Sequence, residues 1–149
     1  MGVIIRKIEK EDRAEWNPLW QGYCDYYETE IPEDITENTW NRFFEEDGPI
    51  YALVAVNEDN KLVGLVHFLT HDSTWRKNKI CYLEDLFVGP AGRRLGTGEK
   101  LINAVADEAH RNGWEGVYWH TKHENYKGRS LYDKVAGTSD FTHYSIDFD

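Results

Sequence analysis

From Tyr82 to His110 the chain reads YLEDLFVGPAGRRLGTGEKLINAVADEAH, and this stretch limits the possible folds most. An apolar run, Tyr82 to Val88, breaks at Gly89-Pro90, crosses the basic, glycine-rich turn Arg93-Arg94-Leu95-Gly96-Thr97-Gly98 and enters a segment of helical periodicity. A helix start exposes N–H groups that lack acceptors and the positive end of the helix dipole, and glycines there let an anion approach the main chain. The turn therefore predicts a phosphorylated ligand.

The flanking segments supply a sheet for this unit. Val3 to Ile8 alternates and reads as a first strand, and Glu9 to Asp12 is acidic, as suits the start of a helix. Between Arg13 and Tyr27 the bulky residues Trp16, Leu19, Trp20, Tyr23, Tyr26 and Tyr27 recur at helical steps, with Pro18 predicting either a kink or a later start. Thr36 is a candidate cap for a second helix carrying Trp40, Phe43 and Phe44, stopped at Asp47-Gly48-Pro49. Tyr51 to Val56, Lys61 to Thr70 and Lys79 to Val88 read as a three-stranded meander. Beyond the helix, from about Gly98 to Arg111 and closed by Asn112-Gly113, Glu115 to Thr121 reads as a strand. Arg129 to Ala136 reads as a short helix, and alternation at Thr142, Tyr144, Ile146 and Phe148 predicts a last strand. Strand–helix–strand from Tyr82 to Thr121 demands a parallel pair and the hairpins demand antiparallel ones, so a mixed α/β (α+β) fold is expected.

At 149 residues and 40% hydrophobic content, one domain over residues 1–149 is expected, and most of its six Trp, nine Tyr and six Phe should be core. A formal charge of −10 argues against a nucleic-acid partner, which requires clustered Lys and Arg. The acidic residues Asp25, Glu28, Glu30, Glu33, Asp34, Glu37, Glu45, Glu46 and Asp47 concentrate around the first two helices, with Arg42 the one basic residue among them. Such a run is either a solvated surface or, beside an active-site mouth, an attractor of cations. Cys24 and Cys81 form no Cys-x-x-Cys pair, so neither a disulfide framework nor a thiolate metal site is expected, and a reduced cytoplasm fits. The N-terminal apolar run is too short for a signal peptide, Arg6 breaks a myristoylation pattern, and no segment approaches membrane-span length. The six histidines show no metal-ligand spacing; His67, His71, His110 and His143 read as ordinary polar residues, and no metal is expected at His120 and His123.

Among glycine motifs, the dinucleotide fingerprint fails because Leu101 stands at its third glycine, and no P-loop occurs. What is present is R-x-x-G-x-G, Arg93 to Gly98. In its strand-to-helix setting this resembles the [Q/R]-x-x-G-x-[G/A] turn of the GNAT superfamily of acetyl-CoA-dependent N-acetyltransferases. A second element agrees: Asn125 through Gly137 is similar to the family's N-x-x-A-x-x-L-Y-x-K-x-G, with Gly128 in place of the usual Ala and Ala136-Gly137 in place of Gly-Phe. YLEDLFV and the aromatic first helix are similar to the polyamine and the histone or D-amino-acid acetyltransferase-like members.

The resemblance implies a GNAT fold, a twisted and mostly antiparallel mixed sheet with helices on both faces. It implies acetyl-CoA as co-substrate, its pyrophosphate on Arg93, Arg94, Leu95, Gly96, Thr97 and Gly98, and its pantetheine and thioester along a bulged Leu86, Phe87 and Val88. Asn125 would hold the pantetheine amides or the splay of neighbouring strands. Tyr132 matches the family tyrosine near the coenzyme sulfur and is the candidate general acid, the competing reading being a core tyrosine. Glu84, a carboxylate mid-strand among apolar residues, is the candidate base, with Asp85 as competitor on the opposite side by strand alternation; a structural ion pair is the other reading of Glu84. Lys134 reads as an exposed helix lysine more than a phosphate ligand.

Acetyl transfer to a primary amine of a small polycation or basic peptide is the expected activity, with Glu28, Glu30, Glu84 and Asp85 binding the acceptor. Two alternatives stand beside it. One is acetylation of an amino acid α-amine, which needs a carboxylate anchor such as Arg42; the other is a catalytically silent acyl-CoA-binding module. Because a single strand follows the last helix, an exchanged C-terminal strand in a homodimer is also expected.

Overall fold

The computed structural model describes residues 2–148. Strand β1 spans Ile4–Lys7 and leads through a 3-10 turn, Lys10–Asp12, into helix α1, Arg13–Tyr26. Asp12 makes this junction rigid: its carboxylate takes a bidentate pair from Arg6 at 2.8 and 2.9 Å and a third bond from the Glu9 N–H at 2.7 Å. These contacts hold its carboxyl below the usual range, with the Arg6 hydrogen bond the largest cause. Helix α1 runs through Pro18 without ending, so the proline neither starts nor stops it.

Helix α2, Glu33–Arg42, follows Pro32. Thr36 is not its cap. The threonine lies one turn inside, buried, where its hydroxyl accepts a 3.2 Å bond from the Trp20 indole. Pro32 starts the helix instead, and its carbonyl accepts from the Ile35 and Thr36 N–H groups.

Strands β2 (Ile50–Val56), β3 (Leu62–His71) and β4 (Ile80–Val88) form the antiparallel meander, with β1 on its outer edge. Helix α3 runs Thr97–Asn112 and ends on Gly113 at φ 72°, the left-handed backbone that glycine tolerates. Strand β5 then pairs parallel to β4, giving the sheet order β1-β2-β3-β4-β5. Helix α4 spans Tyr126–Val135.

Helices cover both faces, as the alternation of apolar residues in the strands requires. Under α1 and α2, Trp16, Trp20 and Trp40 pack on Val54 and Leu65. Under α3, Leu101, Ile102 and Val105 pack on Leu53, Val66, Phe68 and Leu83. Val117 and Trp119 face the α3 core while Tyr118 and His120 face outward with rings 5.8 Å apart, as their alternation predicts.

Two expected strands differ from the observed chain. Glu115 to Thr121 contracts to β5, Val117–Tyr118, which pairs with β4 only at Cys81 and Tyr82, just before the register of β4 on β3 shifts. Thr142 to Phe148 carries no strand; Tyr144, Ile146 and Phe148 are exposed, and none meets a partner edge. Alternation had assigned this segment two faces but could not supply the neighbouring strand that a ladder needs.

Candidate active site

The site begins with a count of residues across β3 and β4. His67 stands opposite Asp85 and Phe68 opposite Leu83, so Glu84 has no residue facing it. It is the extra residue of a β-bulge, and it inverts the strand's alternation. Before it, Cys81 and Leu83 face the α3 core; after it, Leu86 and Val88 do. Asp85 and Phe87 accordingly face α1. The bulge therefore lies at Glu84 rather than at Leu86 to Val88. Its signal was legible as a change of parity in the apolar positions 81, 83, 86 and 88.

The bulge opens a wedge. Strand β5 pairs with β4 only at Cys81 and Tyr82, so the outer edge of β4 from Leu83 to Val88 has no strand partner among the described residues. Tyr27, Leu83, Glu84, Leu86, Ile102, Trp119, His120 and Tyr132 line the narrow cleft left between the two strands. Glu84 and Tyr132, assigned as base and acid from the sequence, thus come together in one cleft. Tyr27, Trp119 and His120 were not singled out for it, although Tyr27 ends the aromatic stripe of α1 and Trp119 and His120 follow directly from β5.

The electrostatics of the wedge suit proton transfer. Glu84 is exposed at the mouth of the cleft; partial burial of its carboxyl, and after it the Asp85 carboxylate, raise it above its ordinary range, opposed by Arg42. Burial, with Tyr27 and Tyr26 adding to it, pushes the Tyr132 phenol up to about 12. Such a phenol keeps its proton at neutral pH and is available as a donor. Tyr132 also packs edge-on against Trp119 with ring centres 5.6 Å apart, which fixes its plane.

Of the expected coenzyme contacts, the turn fits best. Gly96 begins α3 at φ 70° with no side chain capping the helix, so the first-turn N–H groups have no intrahelical acceptor, and the space beside the Gly96 α-carbon is open. Thr97 is buried and its hydroxyl is used internally, donating to the Gly92 carbonyl at 2.7 Å. Arg93 and Arg94 are exposed beside the turn; Arg93 Nε reaches the Val88 carbonyl at 3.4 Å, and Arg94 adopts φ 65°. Leu95 is at the surface. A β-carbon on Gly98 would come within 3.1 Å of Leu131, so this glycine seats α4 against the turn. These features, an uncapped helix start with two exposed arginines beside it, fit a pyrophosphate.

Other assignments change. Leu86 lines the wedge, whereas the Phe87 ring packs into the α1 core, so close that a β-carbon on Gly22 would lie 2.7 Å from it. Phe87 thus faces the wedge only through its backbone. Asn125 caps α4: its Oδ1 accepts from the Gly128 N–H at 3.2 Å and from Tyr26 at 2.9 Å, and its Nδ2 donates to Thr121. That geometry explains the departure at Gly128, where a β-carbon would press into the Asn125 amide. Lys134 is paired with Glu99 at 3.3 Å.

The acidic run disperses. Glu33 and Glu37 pair with Arg13 of α1, at 3.4 and 2.8 Å, a partner outside the segment. Glu30 lines a different groove, between α1 and α2, and Glu28 is exposed just past Tyr27. Asp85 is buried behind the wedge and is absent from its lining; it accepts a 2.9 Å bond from His67. Among the described residues no cluster of metal-ligating side chains occurs, and no helix is long and apolar enough to cross a membrane.

A mixed sheet that splays at its one parallel pair, with a coenzyme-type turn at the mouth of the gap, defines an acyltransferase of the N-acetylating class. Residues 8–138 match the Acetyltransferase (GNAT) family, and the chain belongs to that family. It is 32% identical over 139 residues to the D-amino-acid N-acetyltransferase HPA3 of Saccharomyces cerevisiae, covering 93% of this chain and 86% of that one. The ribosomal-protein-alanine N-acetyltransferase of Brucella melitensis superposes with a TM-score of 0.81 at 25% identity, over 99% of this chain and 100% of the other. AAC(6')-Iy, solved in complex with the bisubstrate analogue CoA-S-monomethyl-acetylneamine, shares the fold at a TM-score of 0.85 and 18% identity, over 100% of both chains.

Proposed function

We propose that this N-acetyltransferase acetylates a primary amine of a small polycation or a basic peptide, by direct attack in a ternary complex. Acetyl-CoA supplies the acetyl group as a thioester. Glu84 takes the proton from the acceptor ammonium, directly or through a water, so that the amine lone pair is free to form the new C–N bond. As the C–S bond breaks, Tyr132 gives its phenol proton to the departing sulfur, the attacking nitrogen releases its second proton to water in the cleft, and Tyr132 is reprotonated from that solvent. The first-turn N–H groups of α3 with Arg93 and Arg94 hold the pyrophosphate, and the free edge of β4 orients the pantetheine. One observation carries this reading: Glu84 and Tyr132 line the same cleft.

The acceptor class follows from the lining. Its one carboxylate is Glu84, and no lysine or arginine is among its residues. Such a wall favours a cation. A second reading, an amino acid α-amine, is supported by Arg42, close enough to lower the Glu84 carboxyl, and by the name of the yeast relative. Turnover of spermidine, a lysine-rich peptide and free D- and L-amino acids decides between them. The polycation reading expects the first two to dominate and their kcat/KM to fall steeply as salt rises from about 0.05 to 0.5 M; amino acid turnover abolished in Arg42→Gln would replace it.

We further propose a homodimer in which the C-terminal segments cross. Phe141, Tyr144, Ile146 and Phe148 are 78%, 87%, 84% and 92% exposed, and β5 is an edge strand with room for a partner. A monomeric elution at micromolar concentration would refute it.

A further inference from the structure

Behind Glu84 lies a buried polar chain that acetyl transfer, as described, does not use. The Trp16 indole N–H donates to His67 Nε2 at 3.1 Å, and His67 Nδ1 meets Asp85 Oδ2 at 2.9 Å. An indole N–H can only donate, so Nε2 must carry the lone pair and the ring proton must sit on Nδ1, pointing at Asp85. His67 is 3% and Asp85 9% exposed, and the rings of Trp20 and Phe43 close over the imidazole at 5.1 and 4.7 Å. Tyr23 interacts with the same carboxylate, and this, after burial, raises its phenol.

A buried polar pair of this kind is seldom needed for stability, since apolar residues of the same volume serve as well. Its position gives it another use. His67 and Asp85 face each other across the strands at the register step, so their bond fixes which residue of β4 is left over. That residue is Glu84.

We infer that the Trp16–His67–Asp85 chain is a positioning device for catalysis: it pins the bulge that turns Glu84 into the wedge and keeps a carboxylate against it. The inference rests on Glu84 being the base. The charged and titratable groups facing Glu84 are Asp85 and Tyr82 on β4, His67 on β3, Arg42 on α2, Tyr23 on α1 and Tyr27 at its C-cap, Tyr132 on α4 and His120 beyond β5. Asp85 is the carboxylate among them. Its negative charge opposes ionisation of Glu84, and a neutral His67 does not cancel it.

The test is the pH profile of kcat/KM for wild type, Glu84→Gln and Asp85→Asn, with saturating acetyl-CoA and the best amine of the panel. The acid limb should vanish in Glu84→Gln. In Asp85→Asn it should move to lower pH, and kcat should fall about ten- to a hundredfold as the base is misplaced. An unchanged acid limb in Glu84→Gln removes both the base and the inference built on it. A limb lost in Glu84→Gln but unmoved in Asp85→Asn, with kcat intact, overturns the inference alone and leaves the base standing. Should Asp85→Asn melt below the assay temperature, the 15N shifts of His67 in the wild type decide instead. A neutral ring protonated on Nδ1 is the expected state; a proton on Nε2 overturns it.

Discussion

Glu84 is held where ionisation is disfavoured, and that has a thermodynamic consequence. Because its folded pKa lies above the unfolded one, the native state binds more protons than the unfolded state between the two values, and stability falls as pH rises through that window. Solvent screens the effect at this exposed residue, so Glu84→Gln should melt only slightly higher than wild type at pH 7, and the difference should close as pH drops below the unfolded carboxylate range. Calorimetry across pH 4 to 8 measures it; a lower melting point at pH 7 would show that the carboxylate is paired. Tyr132→Phe tests the acid at the same scale. With its ring still against Trp119, kcat should fall about 10- to 100-fold while acetyl-CoA affinity is nearly unchanged. Equal losses in both would assign the hydroxyl to binding. His67 shows what residue-level reading misses. A histidine within LVGLVHFLTH is visible as the odd polar residue of an apolar strand, but its partner Asp85 emerges only once the bulge sets the register.

The sequence separates elements according to whether a signal is local. Helix α3 was legible from end to end: Leu101, Val105 and Ala109 are buried as their spacing predicts, and Gly113 stops it. Its start depends on Gly96 at φ 70°, so Gly96→Ala should cost about 1 kcal/mol of stability and weaken acetyl-CoA binding with little change in kcat at saturation. Denaturant melts and coenzyme titration measure the two effects. The C-terminal strand illustrates the converse. Thr142 to Phe148 has the alternation of a strand, yet pairing is a property of two segments, and no edge among the described residues receives it. Thr36 failed as a cap for a similar reason, since the Trp20 indole recruits its hydroxyl from another helix.

Across the whole molecule, the strand–turn–helix unit, the antiparallel meander and the parallel pair were readable, whereas the distribution of charge was not. Helical spacing left open that Arg13 would neutralise Glu33 and Glu37 from α1. The same three-dimensional pairing sets the acid limit of the fold. Asp12 is 5% exposed and its carboxyl is depressed by Arg6, so its contribution is present above the unfolded carboxylate range and is lost as pH falls through the folded value. Arg6→Ala leaves that buried charge unpaired and should destabilise by about 3 kcal/mol at pH 7, with the deficit shrinking in acid. Urea melts at pH 7 and pH 3 compare the two conditions.

One extra residue in β4 also makes removal and replacement different operations. Exchanging Glu84 alters a functional group and leaves every other side chain on its own face. Excising it would turn the rest of the strand over by half a pleat, carrying Leu86 and Val88 out from under α3 and the Phe87 ring into their place. The arginines and the glycine turn would arrive on the wrong side of the sheet. The position of the carboxylate is thus written in the length of the strand, and the frame that aims the coenzyme turn depends on its presence whatever its chemistry.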